Sequence, residues 1–330
     1  MNSIAESESE KSQPLPLVSV IVITYNSAKY VEETLDSIKN QNYTNIELIV
    51  SDDFSIDETV AKVRIWIGKH RQRFSCCELV TSTRNKGIPG NCNQGLYFAK
   101  GEWVKYIAGD DYLTPDCITI FLASALQNPG ASCFVSDMYV MTNGVINKKY
   151  QILTSRLPSD ANIQLDNLLR YKSLPGAALF FKREILLRIG GYDERFPGLE
   201  DYPLQIKLVR AGFWFIAVNR PTVIYRIHGE SITQAPSSFF LNSVKAHFNE
   251  VVMPLIVKRR LYRLQWHFLL SKKMEGLDPG FWRSMYSMLI RMTDTIYWEN
   301  KFLGFRQIPK FLQVLIIDIP PIGLDKVLGK

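Results

Sequence analysis

The chain has 330 residues, of which 46% are hydrophobic, and its 39 Lys and Arg against 32 Asp and Glu leave a formal net charge of +7. A chain of this length and apolar content can bury a full core, which excludes a minimal domain. Its five cysteines are an odd number, which favours reduced thiols in a cytosolic protein over a disulfide framework.

The first 16 residues differ in composition from the rest of the chain. They are mostly Ser, Glu, Lys, Gln and Pro, so they have little apolar surface to bury and we expect them to be disordered. No apolar core follows the start, so this segment does not resemble a signal peptide. Ordered structure is therefore predicted to begin near residue 17.

Strands and helices alternate from there. Residues 18–23 are β-branched and apolar, which predicts a buried strand that stops at the polar residues 24–26. Residues 46–51 predict a second strand, and it ends in the polar residues 52–55. A helix is predicted between the two strands, with an inward face made of Val31, Leu35 and Ile38.

The same alternation continues to residue 111. Asp57 is placed to cap a second helix, whose predicted buried residues are Val60, Val63 and Ile67. Residues 78–82 predict a third strand with a turn at 84–87, and residues 103–108 predict a fourth strand that runs into Asp110 and Asp111. Strands separated by helices are typical of a parallel sheet covered on both faces.

Asp110 and Asp111 are the most informative residues of this half. Asp has low strand propensity, so a pair at the carboxyl end of a buried strand favours an exposed site at the edge where open α/β sheets bind ligands. Two close carboxylates repel each other unless a cation or hydrogen-bond donors offset their charge, and hard oxygen ligands suit Mg²⁺ or Mn²⁺. The alternative is a solvated turn, with Asp116 capping the next helix.

A second acidic pair follows about ninety residues later. Residues 173–181 predict a turn and a strand with small residues, and a loop rich in Gly and Pro then leads to Glu200 and Asp201 at the start of a helix. The helix dipole stabilises an acidic side chain in the first turn of a helix. It accounts for one of the two carboxylates and gives less reason for the second. Because neighbours on a helix point about 100° apart, only one of them can face a substrate.

Five motifs in this order resemble those of family 2 glycosyltransferases. They are Thr24-Tyr25-Asn26, Asp52-Asp53-x-Ser55, Asn85-Lys86-Gly87, Gly109-Asp110-Asp111, and Gly190-Gly191-Tyr192-Asp193-Glu194 through Glu200-Asp201. The resemblance covers roughly residues 17–232. It implies the α/β GT-A fold, with a Rossmann-like, mostly parallel central sheet flanked by helices, and an inverting transfer of sugar from a nucleotide sugar.

The resemblance also implies roles for individual residues. Asp201 would be the general base, and Glu200 would contact the acceptor or brace the loop. Asp111 would bind Mn²⁺ or Mg²⁺, joined by His228, although a His in a turn can equally bond to backbone. Asp53 would accept a base N–H. The remaining residues expected to bind the nucleotide sugar are Thr24, Tyr25, Asn26, Asn85, Lys86 and Asp110.

Local alternatives and departures accompany these roles. Thr24 and Asn26 could instead cap the first helix. The family often has an Asp where this chain has Ala108, which argues against a bidentate cage around the metal. It commonly has an Arg where this chain has Cys92, so no guanidinium is expected from that helix to bind the diphosphate.

The charge divides the chain. Residues 240–330 hold 14 Lys and Arg against 7 Asp and Glu, so the whole surplus of +7 lies there. We therefore predict a GT-A domain over 17–235, with a nucleotide-binding half at 17–112 and an acceptor-binding half at 113–235. Residues 236–330 would form a basic amphipathic helical region. It either packs on the sheet or lies on an anionic membrane surface, and no segment is long enough to span a membrane.

The predicted function follows from the resemblance. We expect a UDP-sugar donor and a glycan or polyprenyl-linked glycan acceptor, as in bacterial O-antigen or capsule synthesis, at the inner face of the cytoplasmic membrane. The alternative is a non-catalytic protein of the same fold that binds nucleotide sugars. A dehydrogenase is excluded because no Gly-x-Gly-x-x-Gly turn follows the first strand, and no nucleic-acid recognition motif is present. The donor sugar, the linkage and the oligomeric state do not follow from the sequence.

Overall fold

A computed structural model describes residues 15–152, 157–171, 174–229, 238–261 and 264–265. The disorder expected near the amino terminus and most of the predicted basic helical region therefore lie outside the described residues. All five cysteines lie within them, and all five are free thiols.

The chain divides into two compact units. The first consists of the described parts of residues 1–164 and 173–241, and the second of those of 165–172 and 242–330. The change near residue 241 lies close to the predicted start of the basic region. The predicted division at residue 112 stays a prediction.

The secondary structure alternates through the first half and becomes mixed afterwards. The described strands are β1 Val18–Thr24, β2 Ile46–Asp52, β3 Cys76–Thr81, β4 Trp103–Ala108, β5 Tyr112–Leu113, β6 Cys133–Thr142, β7 Val145–Tyr150, β8 Leu179–Lys182 and β9 Phe215–Ile227. The described helices are α1 Val31–Lys39, α2 Thr59–His70, α3 Gly87–Phe98, α4 Cys117–Gln127, α5 Ala161–Tyr171, α6 Arg183–Arg188, α7 Asp201–Arg210, α8 Ser238–His247 and α9 Met253–Lys258.

The strands of the described residues form one sheet in the order β3-β2-β1-β4-β8-β6-β9-β5, with β7 paired to β6. The first four strands in this order are parallel, as predicted. In the other half the pairing is mixed: β6 and β9 pair in parallel, whereas β8 enters antiparallel between β4 and β6, and β5 and β7 also pair antiparallel.

The predicted buried face of α1 is confirmed, and that of α2 in part, because Val63 is buried while Val60 and Ile67 are half-buried. Val31, Leu35 and Ile38 of α1 are fully buried, and each such side chain contributes about 1.5–3 kcal/mol of hydrophobic stabilisation. The predicted Asp57 cap lies one residue too early, because α2 begins at Thr59 with Glu58 before it. Asp57 still accepts hydrogen bonds from the backbone N–H and the hydroxyl of Thr59.

Aromatic rings join the parallel strands to the antiparallel part of the sheet. Trp103 of β4 stacks on Phe180 of β8 at 5.1 Å between ring centroids, and Phe180 stacks on Phe121 of α4 at 4.8 Å. The three rings are almost fully buried. This core fixes β8, and therefore the turn that precedes it, against the central strand.

The second unit is helical where it is described. A π-helical segment, Phe248–Val252, leads into α9, and Arg259 after α9 forms an ion pair with Asp166. Among the described residues of the whole chain, every helix is too short or too polar to cross a membrane.

Candidate active site

The carboxyl ends of β1, β2 and β4 meet at one edge of the sheet. The backbone N–H of Asp53 donates to the carbonyl of Thr24 at 3.0 Å, and that of Gly109 donates to Ile23 at 2.9 Å. The hydroxyl of Thr24 also donates to the carboxylate of Asp52 at 2.8 Å. Three of the predicted motifs are therefore held side by side.

The residues after β1 divide into buried and exposed positions. Thr24 is buried and its hydroxyl already bonds to Asp52, whereas half of the Tyr25 side chain is exposed. Asn26 has a positive φ of 50° and braces the neighbouring loop, since its backbone N–H donates to Ser55 and its side chain accepts from Ile56. Neither Thr24 nor Asn26 caps α1, which begins five residues after Asn26.

Asp53 connects this edge to the turn after β3. Its Oδ1 accepts the backbone N–H of Lys86 at 2.8 Å, and the Asn85 side chain accepts that of Gly87 at 2.9 Å. Burial raises the pKa of Asp53, and the backbone donors oppose that rise. The structure thus brings Asp53, Asn85 and Lys86 together, with one Asp53 oxygen already bonded inside the protein.

Phe54 is a residue that the sequence reasoning missed. It lies directly after Asp53 with φ at 67°, in the left-handed region that bulky residues avoid, and its ring is 47% exposed. Strained, exposed aromatic residues of this kind concentrate at functional sites. The signal available in the sequence was an aromatic residue between the polar residues that end β2.

Asp110 and Asp111 have different surroundings. Asp111 is 2% exposed, and its Oδ1 accepts the backbone N–H of Arg226 at 2.9 Å. Burial raises its pKa well above the usual value, and the charge of Asp110 adds to that rise. Asp110 is more accessible, with its side chain 30% exposed, and its Oδ2 lies 2.9 Å from Nε2 of His228.

Arg226 of β9 holds this corner together. Its Nε donates to the carbonyl of Asp110 at 3.0 Å, its Nη2 bonds to Glu33 and Tyr112, and its guanidinium lies over the rings of Tyr30 and Tyr112. Donors engaged in this way do not support Arg226 as a clamp on a diphosphate.

The corner offers few ligands for a divalent cation. Among the described residues, no group of three or more His, Cys, Asp or Glu side chains could hold an ion. Asp110 and His228 supply one carboxylate and one imidazole, a set that suits an ion sharing its other positions with phosphate and water. Asp111 offers less accessible surface to an ion than Asp110, because its carboxylate is buried and its Oδ1 accepts from backbone, and its assignment to the metal stays a prediction. The role of His228 stays a prediction.

Glu200 and Asp201 begin α7, as predicted. Each keeps some accessible surface, yet enough protein surrounds the carboxyl groups that burial raises the pKa of Asp201 to about 6. Burial, and then the charge of Asp201, raise the pKa of Glu200 to about 8. Near neutral pH, the raised pKa values therefore favour one proton shared by the pair.

Two contacts position this acidic pair. The loop before it is attached to the start of α3, since the backbone N–H of Ile88 donates to the carbonyl of Pro197 at 3.0 Å. On its other side lies the turn Gly176–Ala178, so close that a Cβ added to Gly176 would lie 3.0 Å from the Cβ of Asp201. The small residues predicted over 173–181 thus let the backbone of this turn pack closely against Asp201.

A sequence model described as Glycosyl transferase family 2 matches residues 19–189, slightly more than half of the chain. A curated relative from Campylobacter jejuni, GalNAc(5)-diNAcBac-PP-undecaprenol beta-1,3-glucosyltransferase, is 27% identical over 75% of this chain and 76% of its own length. The chain spans only 21% of the length of two larger synthases from Pasteurella multocida that it also matches.

Solved structures match over 88% of the chain. They include S. aureus TarS 1–349 in complex with UDP-GlcNAc, with a TM-score of 0.53, 19% identity and 76% of that chain covered. They also include the mannosyltransferase PcManGT from Pyrobaculum calidifontis in complex with GDP-Man and Mn²⁺, with a TM-score of 0.50, 20% identity and 88% of that chain covered. At this identity the likeness shows the fold, which is GT-A.

Proposed function

The chain belongs to glycosyl transferase family 2, and on that premise we propose that it transfers a sugar from a UDP-sugar to a glycan hydroxyl with inversion. The observation that carries the proposal is the pairing of Asp110 with His228. These residues are 118 positions apart, and they meet beside the strand ends that hold the expected nucleotide-binding residues. A carboxylate and an imidazole are both able to serve a charged phosphate ligand and its cation.

The donor would lie along the ends of β1 and β2. Tyr25 follows Thr24 and Phe54 follows Asp53, and both offer exposed aromatic surface for the base, while Asp53 would accept from a base N–H. Asp110 and His228 would hold Mn²⁺ or Mg²⁺, which offsets the charge on the departing diphosphate when bound. A metal suits this donor site because two negative charges develop on the leaving group.

Asp201 would remove the proton from the acceptor hydroxyl. With its pKa at about 6, the carboxylate is ionised at neutral pH yet basic enough to accept a proton. Glu200, with its pKa at about 8, would stay protonated and donate a hydrogen bond. Attack opposite the diphosphate inverts the anomeric centre, so an α-linked donor gives a β-glycoside.

The acceptor class rests on the relatives. The Campylobacter jejuni relative acts, by its name, on a glycan linked to undecaprenyl diphosphate. A polyprenyl-linked glycan in surface polysaccharide synthesis, with the protein peripheral on the inner face of the cytoplasmic membrane, is therefore part of the proposal. The basic aromatic region 266–330, outside the described residues, would favour that location by its composition.

A donor screen tests the proposal. UDP-, GDP- and dTDP-sugars would be incubated with the protein and Mn²⁺, with water as acceptor, and release of the nucleoside diphosphate would be measured. We expect release from a UDP-sugar, its loss with a chelator, and greater thermal protection by UDP than by GDP. If UDP neither protects the protein nor is released, the proposed donor is wrong.

A further inference from the structure

Lys105 is a fully buried lysine in the central strand of the sheet. It lies in β4 with an exposed fraction of 0%, and burial lowers its pKa to about 8. Removing an ammonium group from water costs free energy, so buried lysines are rare unless hydrogen bonds or a nearby charge compensate that cost. None of the chemistry proposed above uses this side chain.

The ammonium group of Lys105 joins two distant segments. Nζ donates to the carbonyl of Tyr106, next to it in β4, at 2.8 Å, and also to the carbonyl of Ala177, 72 residues further along the chain. Asp111 and Cys117 also lie near enough to interact electrostatically with it. Its hydrogen bonds therefore attach the central strand to the turn Gly176–Ala178.

That turn is held on its other side by α7. The side-chain amide of Gln205, a fully buried residue, accepts from the backbone N–H of Leu174 at 2.7 Å and donates to the carbonyl of Leu174 at 2.8 Å. Lys105 and Gln205 thus bond to the backbone on either side of Gly176, at Ala177 and at Leu174. Gly176 is the residue whose missing Cβ leaves room for Asp201, with Oδ2 of Asp201 only 3.5 Å from that Cβ position.

We propose that Lys105 is a positioning residue that sets the place of the Gly176–Ala178 turn against the carboxylate of Asp201. The inference rests on the proposed function, since it assigns Asp201 as the base. Displacement of a reacting group by about 1 Å can lower a rate about 100-fold. A single buried hydrogen bond to the Ala177 carbonyl is therefore enough to matter for transfer.

A role in stability alone would give a different result. A buried charge can often be replaced by an apolar side chain of similar size without loss of stability. Lys105→Met keeps the length of the side chain and removes its donors. If Lys105 only supported the fold, the kcat of the variant would fall in proportion to its folded fraction. The rising limb of its pH profile would then stay at the wild-type pH.

The experiment compares Lys105→Met with Lys182→Met in the full-length protein. Lys182 lies in the neighbouring strand opposite Trp103, and its ammonium group is 5.6 Å from the centre of that ring, so it controls for loss of a lysine from this part of the sheet. UDP affinity is measured by calorimetry. UDP release from the UDP-sugar that the wild type hydrolyses fastest is measured between pH 4 and pH 9, with water as acceptor.

For Lys105→Met we expect UDP affinity within about twofold of the wild type and kcat lower by about 10- to 100-fold. The rising limb of the pH profile should move about one unit to lower pH, because a displaced turn admits water and relieves the burial that raises the pKa of Asp201. Lys182→Met should match the wild type in all three measurements. Wild-type kcat and pH profile in Lys105→Met would overturn the proposal, and so would a loss of kcat that only follows the folded fraction.

Gly176→Ala provides the second variant, in case Lys105→Met does not fold. Its added Cβ presses on Asp201 from the turn itself, so it should give the same loss of kcat with UDP affinity kept. Unchanged hydrolysis in Gly176→Ala would show that the turn does not position the base. Failure of the proposed function is distinguishable, because it would appear in the wild type as absence of UDP binding and UDP release.

Discussion

Asp201 and Glu200 lie together in partly buried surroundings at the start of α7, but the interactions that act on their pKa values differ. Asp201 accepts the backbone N–H of Tyr202 at 2.6 Å, which opposes the effect of burial on its pKa. Glu200 has burial and the neighbouring charge of Asp201 acting in the same direction. Adjacent carboxyl groups whose pKa values are pushed apart are suited to separate base and hydrogen-bond donor roles.

Asp201→Asn tests the base. The change is nearly isosteric, so we expect UDP affinity to stay close to that of the wild type while kcat falls by roughly 10² to 10⁴, the usual contribution of a positioned base. Steady-state kinetics and calorimetry with UDP measure the two effects. If Glu200→Gln is the crippling change and Asp201→Asn is mild, the two roles are reversed.

Glu200→Gln tests the raised pKa of Glu200 through the pH dependence of protein stability. Folding raises the pKa of Glu200 from 4.5 to about 8, so the wild type loses stability as the pH rises between those values. Gln is neutral throughout. We expect the unfolding temperature of Glu200→Gln to equal that of the wild type near pH 4 and to exceed it increasingly up to pH 8 in calorimetric scans. A difference that is the same at every pH would contradict the raised pKa.

Phe54 combines backbone strain with an exposed ring. Gly adopts a positive φ without the steric cost of about 1–2 kcal/mol that an L side chain carries, and stacking on a base contributes about 1–3 kcal/mol. Phe54→Gly and Phe54→Leu should both weaken UDP binding, by roughly fivefold or more. Only Phe54→Gly relieves the strain, so thermal unfolding should show it to be the more stable of the two. Wild-type UDP affinity in both variants would remove Phe54 from the site.

At the scale of elements, the end of β9 shapes the acidic corner. Arg226 and His228 leave this strand toward Asp110, and the backbone N–H of Arg226 holds Asp111. The strand is thus attached to the turn after β4 by backbone, guanidinium and imidazole together. Groups that orient ligands in this way typically change metal affinity 10- to 100-fold when removed.

Arg226→Met tests this attachment. We expect UDP affinity measured with Mn²⁺ to fall about tenfold, and UDP affinity measured without metal to change little. Arg220→Met is the matched control on the same strand, because the Arg220 side chain is 66% exposed and pairs with Asp116 at the surface. Equal losses of UDP affinity in the two variants, or losses that do not depend on Mn²⁺, would contradict a role of Arg226 beside the proposed metal ligands Asp110 and His228.

At the scale of the whole molecule, the charge is segregated along the chain. Residues 240–330 carry the net +7, and most of them lie outside the described residues. A basic residue near an anionic membrane contributes about 1 kcal/mol, less as salt screens it. Positive charge gathered in one part of the chain is attracted to anionic lipid more strongly than the same charge spread over the whole surface. We therefore expect reversible attachment to anionic lipid.

Vesicle sedimentation tests this attachment. We expect the full-length protein to sediment with phosphatidylglycerol vesicles at low salt, to be released at high salt, and to ignore phosphatidylcholine vesicles. Removal of residues 280–330 should reduce sedimentation while UDP binding is kept. Protein that stays in solution with anionic vesicles at low salt would favour a packing role for the basic region.

The parallel half of the fold, and the polar residues at the ends of its strands, follow from the amino-acid sequence alone. Apolar β-branched runs and helical patterns, interrupted by polar residues at 24–26 and 52–55, depend only on neighbours along the chain. Because parallel strands end on the same side, these local patterns were enough to place the motifs together. The antiparallel entry of β8 was not predictable in this way, since it depends on pairing between distant segments.

Which of the two acidic side chains is accessible depends on contacts between distant segments. Asp110 and Asp111 are adjacent and chemically identical, and their different burial comes from β9, which lies more than a hundred residues away in sequence. The same holds for Lys105, whose type predicts an exposed side chain but whose strand has both neighbours and a covering turn. Burial is a property of the assembled layers, so it decides the charge and the role of residues that local patterns cannot tell apart.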